Sequence, residues 1–547
     1  MRGGLGTAVS HLRSLLPSRA DYRETRRSWR SDLLAGVTVG IVALPLALAF
    51  GVSSGAGAES GLITAIVAGV IAAVFGGSNI QVSGPTGAMV VVLGPIIADR
   101  GPGVLAIVCL LGGLIVVVAG VLRLGRAVTY IPWPVIEGFT LGIAIIIFLQ
   151  QVPAAIGTKP GPSSNAFVAA VQSLRTVDSS TAWWSLVIVV AVAVIMVGGQ
   201  RLNRHLPGSI IAIVVVTVVA VVVRLPVATI GQLPALPAPR LPDTNGATVL
   251  SLLVPAFTVA MLAAIESLLS ARVGASLSDT GPYDADRELV GQGLASIASG
   301  FFGGMPATGA IARTAVNVRS GGRTRLAAIV HAIVLLLIVA FASTVVALIP
   351  LAALAGVLMV TAVRMISVAT VRTIVGSTRS DAIVFVITAV ITVSFDLIYA
   401  VGIGIAVAAF FALRALARSS RVHREELPTP AHAGDEHIAL LRLDGALFFG
   451  AADRVLSRIT TIQNVTVVVI RMSQLQVLDA TGAQVITELI TSLERRGITV
   501  LVKGIQPRHL GLATRIGLIA ALRHENHLFD NLDTAITHAR THTNRSA

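Results

Sequence analysis

The distribution of apolar positions divides the chain into four consecutive parts. Residues 1–31 form a polar, basic tail, and residues 32–415 are almost continuously apolar. A short polar linker, 416–435, leads into residues 436–547, where apolar and charged positions alternate at ordinary density. A helix needs roughly 20 apolar residues to cross a bilayer. The pattern therefore predicts a polytopic helical membrane domain followed by a cytosolic α/β domain.

The apolar part separates into runs that predict about 14 transmembrane segments at ~20 residues each. We place them near residues 33–52, 58–75, 85–98, 103–122, 132–151, 183–200, 208–223, 249–271, 289–302, 310–318, 326–348, 351–363, 381–394 and 397–413. The third and tenth runs are too short to cross alone. Arginine is concentrated in the tail and in alternate connections, which predicts a plasma-membrane protein with both termini in the cytoplasm.

Composition narrows the class of protein further. Hydrophobic residues make up 54% of the 547 positions and charged residues only 12%, about half of the roughly 25% typical of soluble domains. The net charge of +14 would suggest nucleic acid in a soluble chain, but here it follows the loops and marks orientation. The single cysteine, Cys109, excludes an intramolecular disulfide and a cysteine-cluster metal site. We therefore expect neither an enzyme with a bound cofactor nor a nucleic-acid-binding protein.

A weak internal repeat links the two short runs. A Phe-Gly-Gly sequence at 75–77 precedes Ser-Gly-Pro-Thr-Gly-Ala at 83–88, and a second at 302–304 precedes Met-Pro-Ala-Thr-Gly-Ala at 305–310. Seven spans per half give the halves opposite topology, and short Gly/Pro-interrupted segments at matching positions indicate a transporter's central site.

Two half-helices that begin near mid-membrane would present free backbone N–H groups and positive dipole ends to an anion. The predicted anion-binding residues lie at these two starts and on the first run: Ser83, Gly84, Pro85, Thr86, Gly87, Ala88, Thr308, Gly309, Ala310, Ile311, Ala312, Arg313, Leu46 and Phe50. Arg313 has two equally weighted interpretations. It either adds positive potential at the anion or pairs with a carboxylate and fixes its helix.

Glu266 lies inside a long apolar run, where a carboxylate is costly and marks a functional hypothesis. Ser270 is one turn further along the same helix face. We predict that this pair takes up the coupling cation, H⁺ or Na⁺; the alternative is a structural partner for Arg313 or for the backbone.

These sequences resemble the SulP anion permeases, a family that includes sulfate permeases, bicarbonate transporters and bacterial C4-dicarboxylate transporters. The matching sequence segments lie at residues 35–47, 83–88, 264–269, 286–293, 302–304 and 310–317, and the resemblance covers nearly the whole chain.

The resemblance implies the seven-plus-seven inverted-repeat fold shared with nucleobase permeases. It also implies a core domain that moves against a gate domain in an elevator-like way, and a homodimer. In the cyanobacterial bicarbonate transporters of the family, the positions matching Glu266 and Ser270 bind Na⁺, with aspartate at the first. Pro45 is followed here by Leu46, with Phe50 in the place of an aromatic tyrosine. This departs from many sulfate-type members and is similar to the dicarboxylate subgroup.

The last part of the chain is similar to a STAS domain. Strands are predicted at 437–443, 465–470 and 498–503, and helices at 480–496, 507–516 and 531–540. The signature Asp-x-Ser-Gly stands here as Asp479-Ala480-Thr481-Gly482. Thr481 is a possible regulatory phosphosite; the alternative is that Asp479 and Thr481 only cap the helix. The domain is expected to serve trafficking, dimer stability or contact with a cytosolic regulatory protein.

The sequence favours a secondary-active transporter of sulfate, bicarbonate or a C4-dicarboxylate. Other hypotheses are a nucleobase permease of the same fold, an anion sensor that signals through the STAS domain, and an uncoupled channel. A nucleobase permease would require a second carboxylate at the position where this chain has Ile311, Ala312 and Arg313, which argues against that hypothesis.

Overall fold

The computed structural model describes most of the chain from residue 11 to residue 543. Residues 1–10, 12, 127–130, 162, 164, 178, 203–206, 233–237, 241–245, 395–396, 420, 429–430, 448–463 and 544–547 lie outside the described part. The chain divides into two compact units, Met1–Ile405 and Ala406–Ala547.

The first unit is helical, and each of the predicted apolar runs has a helical counterpart. Its helices are Thr25–Ser53, Ala58–Ile63, Gly69–Phe75, Gly87–Arg100, Leu105–Val121, Trp133–Ala155, Ala166–Ser173, Ser179–Leu202, Gly208–Val223, Gly246–Ser251, Leu253–Leu277, Ala285–Phe301, Ile311–Arg319, Arg325–Ala347, Leu351–Met365, Val368–Ser377 and Arg379–Ser394; Leu397–Ser419 continues into the second unit. A π-helical turn, Thr64–Ala68, joins the second and third helices. Among the described residues, 8 helical segments are long and apolar enough to span a membrane.

Two of the shorter helices match the two short runs that the sequence predicts. We call Gly87–Arg100 the first half-helix and Ile311–Arg319 the second half-helix. Each follows a two-residue strand, Ser83–Gly84 or Thr308–Gly309. The strands pair antiparallel, with Ser83 opposite Gly309 and Gly84 opposite Thr308. We call them the strand pair.

At the end of the basic tail, Ser31-Asp32 precedes the first apolar run and predicts a cap for its helix. The helix begins earlier, at Thr25. Asp32 is fully buried inside it. Its carboxylate accepts hydrogen bonds from the backbone N–H groups of Arg323 and Thr324, at 2.7 and 3.0 Å, and from the Thr324 hydroxyl at 2.7 Å. Asp32 therefore stabilises the start of a distant helix, Arg325–Ala347, rather than its own.

The second unit contains a mixed sheet flanked by helices. Its strands are Arg421–Glu425, Ile438–Leu447, Val467–Arg471, Leu475–Leu478, Thr499–Lys503 and Leu528–Phe529, and its helices are Ala480–Arg495, Pro507–Ile516 and Leu532–Thr543. Across the sheet, neighbouring strands follow the order first, second, third, fifth and sixth. The strand Arg421–Glu425 pairs antiparallel with Ile438–Leu447. Part of the segment expected as a linker, 416–435, thus belongs to the sheet. The sequence did not reveal this strand, because a short polar strand at a sheet edge resembles a linker in sequence.

Candidate functional site

The segments that lead into the strand pair are irregular, and side chains from elsewhere satisfy their backbone groups. Glu288 is buried and accepts hydrogen bonds from the N–H groups of Gly77 and Ser78, at 2.8 and 3.1 Å. Asn317 donates to the carbonyl of Ile80 at 2.7 Å, and the Arg325 guanidinium donates to the carbonyl of Gly76 at 2.6 Å. Irregular backbone at membrane depth requires such partners, since lipid offers none.

The matching segment before the second strand is held in the same way. The backbone N–H of Met305 donates to the hydroxyl of Thr64 at 2.7 Å, and the hydroxyl of Ser299 donates to the carbonyl of Met305 at 2.8 Å. The hydroxyl of Ser60 donates to the carbonyl of Gly303 at 2.8 Å. Side chains from each half of the chain therefore hold the irregular segment of the other half.

The strand pair brings together the two half-helix starts that the repeat predicted. Thr86 precedes the first half-helix, yet its hydroxyl does not cap it, and Ala310 gives the second half-helix no side-chain cap. The first-turn N–H groups of both half-helices therefore keep their hydrogen-bonding capacity for another acceptor. Most of the predicted residues here are buried, but Ile311 and Ala312 are exposed. The first two residues of the second half-helix are therefore not covered by other described parts of the chain.

Glu266 lies at this junction and contacts one threonine near the start of each half-helix. The hydroxyls of Thr86 and Thr308 each donate to the same carboxylate oxygen, Oε2, at 2.8 Å. The two hydroxyl oxygens are 2.9 Å apart. The helix Leu253–Leu277 also contributes Ser267, whose hydroxyl accepts from the N–H of Gly309 at 3.0 Å. One carboxylate is therefore bound to both half-helix starts.

Ser270 does not share these contacts. Its hydroxyl is fully buried and lies 3.3 Å from the hydroxyl of Thr314. The Thr314 hydroxyl accepts in turn from the N–H of Val82 at 3.1 Å. The described partner of Ser270 is thus the second half-helix, and its joint role with Glu266 remains a prediction.

Arg313 crosses from the second half-helix to the other side of the strand pair. Its Nη2 donates to the carbonyl of Pro85. Its Nη1 has no hydrogen-bond partner among the described residues, although the side chain is only 2% exposed. Arg313 and Glu266 are close enough for their charges to interact, but no direct ion pair joins them in the described part. A buried guanidinium with an unused donor favours an anion beside it.

Gly84 permits this placement of Arg313. A Cβ atom added at Gly84 would lie 2.7 Å from Arg313 Nη1. The backbone there has a φ of +155°, which side-chain-bearing residues rarely adopt. The glycine is therefore required both by conformation and by the approach of the guanidinium.

Apolar side chains complete the surroundings of the first half-helix. Leu46 and Phe50, on the helix Thr25–Ser53, are buried. A Cβ atom added at Gly87 would lie 2.2 Å from Ile147 Cδ1 and 3.3 Å from Phe50 Cε1. Phe50 thus lies beside the start of the first half-helix, and its part in anion binding remains a prediction.

Sequence reasoning assigned no role to Glu288 and Gln292. The Gln292 amide donates to the Ser83 hydroxyl at 2.5 Å and to Glu288 Oε1 at 2.9 Å. These bonds connect the first strand of the strand pair to the helix Ala285–Phe301. Their i, i+4 spacing on one face of the helix Ala285–Phe301 was the available signal. Both residues lie in the family-like sequence at 286–293, which gave neither of them an individual role.

Thr481 lies apart, in the second unit, as the second residue of the helix Ala480–Arg495. Asp479 caps this helix, accepting from the N–H of Gly482 at 2.7 Å. Thr481 is exposed. Its modification remains a prediction.

Comparisons with known proteins agree with this architecture. Residues 29–388 match the model of the sulfate permease family, and residues 429–535 match the STAS domain. The chain is 32% identical over 520 residues to the putative sulfate transporter YvdB of Bacillus subtilis, covering 93% of this chain and 97% of the relative.

Two solved structures are similar to it. The transmembrane domain of the bicarbonate transporter BicA from a cyanobacterium superimposes with a TM-score of 0.64 at 33% identity, covering 69% of this chain and 98% of that one. The murine anion transporter Slc26a9, in its inward-facing state, superimposes with a TM-score of 0.82 at 16% identity, covering 93% and 91%; at that identity the likeness concerns the fold. With the family model covering well over half of its length, the chain belongs to the sulfate permease family, with a C-terminal STAS domain.

Proposed function

We propose that this anion transporter of the membrane is secondary-active and binds its substrate between the starts of the two half-helices, with Glu266 taking up a coupling H⁺ or Na⁺. The observation that carries the proposal is the strand pair, which joins both half-helix starts to one carboxylate and one buried guanidinium. The proposal includes a homodimer in the plasma membrane, with both termini cytoplasmic and elevator-like motion of the core domain.

The anion would be bound chiefly by backbone groups. The first-turn N–H groups of both half-helices lack side-chain acceptors, and the positive ends of two helix dipoles meet there. Arg313 adds a buried cation with an unused donor. This donor set suits a small oxyanion and places few demands on its shape, which is consistent with sulfate, bicarbonate or a dicarboxylate end group.

The contacts of Glu266 support uptake of a cation at that side chain. Three oxygen atoms, Glu266 Oε2 and the hydroxyls of Thr86 and Thr308, lie 2.8 to 2.9 Å from one another. With Glu266 ionised, two hydroxyl protons serve three close oxygen pairs. A proton on the carboxylate would let each oxygen donate once and accept once, and a small cation beside the free oxygen would also balance the charge. Because Thr86 immediately precedes the first half-helix and Thr308 lies in the strand that leads into the second, cation uptake would act directly on the anion site.

The choice of substrate rests on the relatives and needs a direct measurement. One relative is named as a putative sulfate transporter and another as a bicarbonate transporter. The test is uptake of labelled sulfate, bicarbonate and a C4-dicarboxylate into proteoliposomes containing the full chain, under separately imposed Na⁺ and H⁺ gradients. Accumulation of one anion against its gradient, driven by one of the cations, is the expected result.

Each competing hypothesis gives a different outcome in this experiment. Binding of the anion without uptake would point to a sensor that acts through its STAS domain. Flux that is indifferent to both gradients would indicate a channel. Uptake of a nucleobase and not of anions would indicate a permease of the related type.

A further inference from the structure

The second unit contains a group of histidines that the transport site does not use. We call His527, His538 and His542 the histidine cluster. Their ligating nitrogen atoms all lie within 4.8 Å of one another. His538 and His542 are one helical turn apart on Leu532–Thr543, so both side chains project from the same face. His527 ends the short helical turn Glu525–His527, directly before the strand Leu528–Phe529.

The elements that present these histidines are fixed independently of them. The helix Leu532–Thr543 packs its buried residues Ala535 and Ala539 on the sheet. Near its end, Arg540 donates two hydrogen bonds of 2.8 Å to the two carboxylate oxygens of Asp435. The strand Leu528–Phe529 pairs with Thr499–Lys503. The fold therefore holds the three imidazoles together without requiring contacts between them.

His527 has the environment of a metal ligand with one ring nitrogen unused. The residue is 2% exposed, and its Nδ1 has no hydrogen-bond partner among the described residues. Its ring also lies close to the backbone of Val500. In metal sites the second nitrogen of a ligating histidine commonly donates to a carbonyl, which fixes the ring and its tautomer.

The spacing of the cluster agrees with a tetrahedral metal. Two nitrogens bound to one zinc ion at about 2.0–2.1 Å lie about 3.3 Å apart, with ring centres about 5 Å apart. The Nε2 atoms of His538 and His542 are 3.3 Å apart, and their ring centres are 5.0 Å apart. The ring centre of His527 is 5.5 Å from that of His538 and 5.6 Å from that of His542.

We propose that the histidine cluster is a transition-metal site of the STAS domain, with three imidazole ligands and one position open to solvent, suited to Zn²⁺. An all-imidazole donor set favours zinc and its transition-metal neighbours over Mg²⁺ and Ca²⁺, which take oxygen ligands. His524, exposed and with its ring centre 5.4 Å from that of His527, lies beside the cluster on its solvent side. The metal would connect the C-terminal helix to the segment that leads into the last strand of the sheet.

The direct test measures zinc on the full chain, purified in detergent without a polyhistidine tag and stripped with a chelator. After dialysis against micromolar free Zn²⁺, elemental analysis should find about one zinc per chain, because the site has one set of ligands. His538→Gln and His542→Gln should each lose most of that zinc. The matched control, His437→Gln, changes a half-exposed histidine of the same domain outside the cluster and should retain it.

Cobalt supplies a second readout that needs no variant. Co²⁺ bound to the unaltered chain should show the intense visible bands of a four-coordinate site. Equal zinc content in wild type and in all three variants would overturn the proposal, as would the absence of zinc in wild type or the weak spectrum of six-coordinate cobalt.

Discussion

Thr86 and Thr308, which are 222 positions apart in the chain, donate to the same carboxylate oxygen of Glu266, each at 2.8 Å. Thr86 is at the N-cap position of the first half-helix, where a threonine usually caps the helix, and Thr308 lies two residues before Ala310, the N-cap residue of the second. Here the two hydroxyls are directed to the carboxylate. Neither hydroxyl caps a half-helix, so the first-turn amides stay available to a ligand and the charge state of Glu266 acts on both half-helix starts at once.

Glu266→Gln should abolish uptake driven by a cation gradient while leaving the fold intact. Glutamine keeps the shape of the side chain and an oxygen that accepts from both threonines, but it cannot take up a proton and offers no charge to Na⁺. Anion flux down its own gradient, measured in the same proteoliposomes, is expected to continue at a reduced rate. The loss of coupling should appear as equal uptake with and without the imposed gradient.

The matched control for this variant is Glu137→Gln. Glu137 is another acid on an apolar helix, and its carboxylate accepts from Trp133 Nε1 at 3.1 Å. This change should leave coupling as in wild type. Gradient-driven accumulation that survives in Glu266→Gln would show that Glu266 is not the coupling residue.

Gly84→Ala should weaken anion binding because it displaces Arg313. The new methyl group would lie 2.7 Å from Arg313 Nη1, at a backbone conformation that alanine disfavours. Overpacking of this kind costs about 1–3 kcal/mol, which corresponds to a loss of affinity of roughly 5- to 150-fold if it acts on the bound state. Competition uptake with increasing unlabelled anion gives the affinity directly.

Gly198→Ala is the control for that change, since a Cβ atom at Gly198 meets nothing within 4 Å. Its affinity for the anion should equal that of wild type. If Gly84→Ala binds the anion as wild type does, Arg313 does not need its present position for binding.

The sequence predicted those parts of this site that are marked by a short local motif. The repeated Phe-Gly-Gly and Thr-Gly-Ala segments located both half-helices, and a lone acid in an apolar run located Glu266, because each departs from the pattern of a plain membrane helix. The contacts of Thr86 and Thr308 could not be predicted in this way. They depend on the pairing of two strands of two residues each, which has no signature in composition or periodicity.

Asp32 and the histidine cluster show the same limit. Asp32 looked like a local cap because it opens an apolar run, but its partners are about 290 residues away. His538 and His542 are recognisable as neighbours from their spacing, whereas His527 joins them only through the order of strands in the sheet. Long-range pairing, and not residue type, decided each of these cases.

Asp32→Ala should destabilise the membrane unit by several kcal/mol. The change would leave the buried N–H groups of Arg323 and Thr324 and the Thr324 hydroxyl without their acceptor, at about 1–3 kcal/mol for each unsatisfied group. The thermal unfolding midpoint of the purified chain in detergent should fall clearly.

Asp279→Ala is the matched comparison, since Asp279 also binds Arg323 but through an exposed ion pair of 2.8 Å. Exposed pairs contribute about 0–1 kcal/mol, so this variant should unfold close to the wild-type midpoint. Equal midpoints for the two variants would contradict the role assigned to Asp32.

Asp21 should make the stability of the N-terminal segment depend on pH. Its carboxylate binds the Arg287 guanidinium through two hydrogen bonds, at 3.0 and 2.8 Å. Burial acts to raise the pKa of Asp21, but the hydrogen bonds from Arg287 and from the backbone of Ser18, together with the charges of Arg287 and Arg325, outweigh it and lower the pKa to about 2. A carboxyl whose folded pKa is lowered stabilises the fold above its ordinary pKa and loses that contribution as the pH falls through the folded value.

The stabilisation by Asp21 should therefore be complete at pH 6 and disappear between about pH 4 and pH 2. The shift from 3.8 to about 2 corresponds to about 2 kcal/mol. Limited proteolysis of the segment before Thr25, at pH 6, 4 and 3, should show wild type becoming more sensitive only at the lowest values, using a protease whose own activity is corrected on an unfolded substrate. Asp21→Asn should be sensitive already at pH 6 and change less with acid, because asparagine keeps neither the charge nor the titration. A wild-type segment that is cleaved equally at all three values would mean that the Asp21–Arg287 pair does not hold it in place.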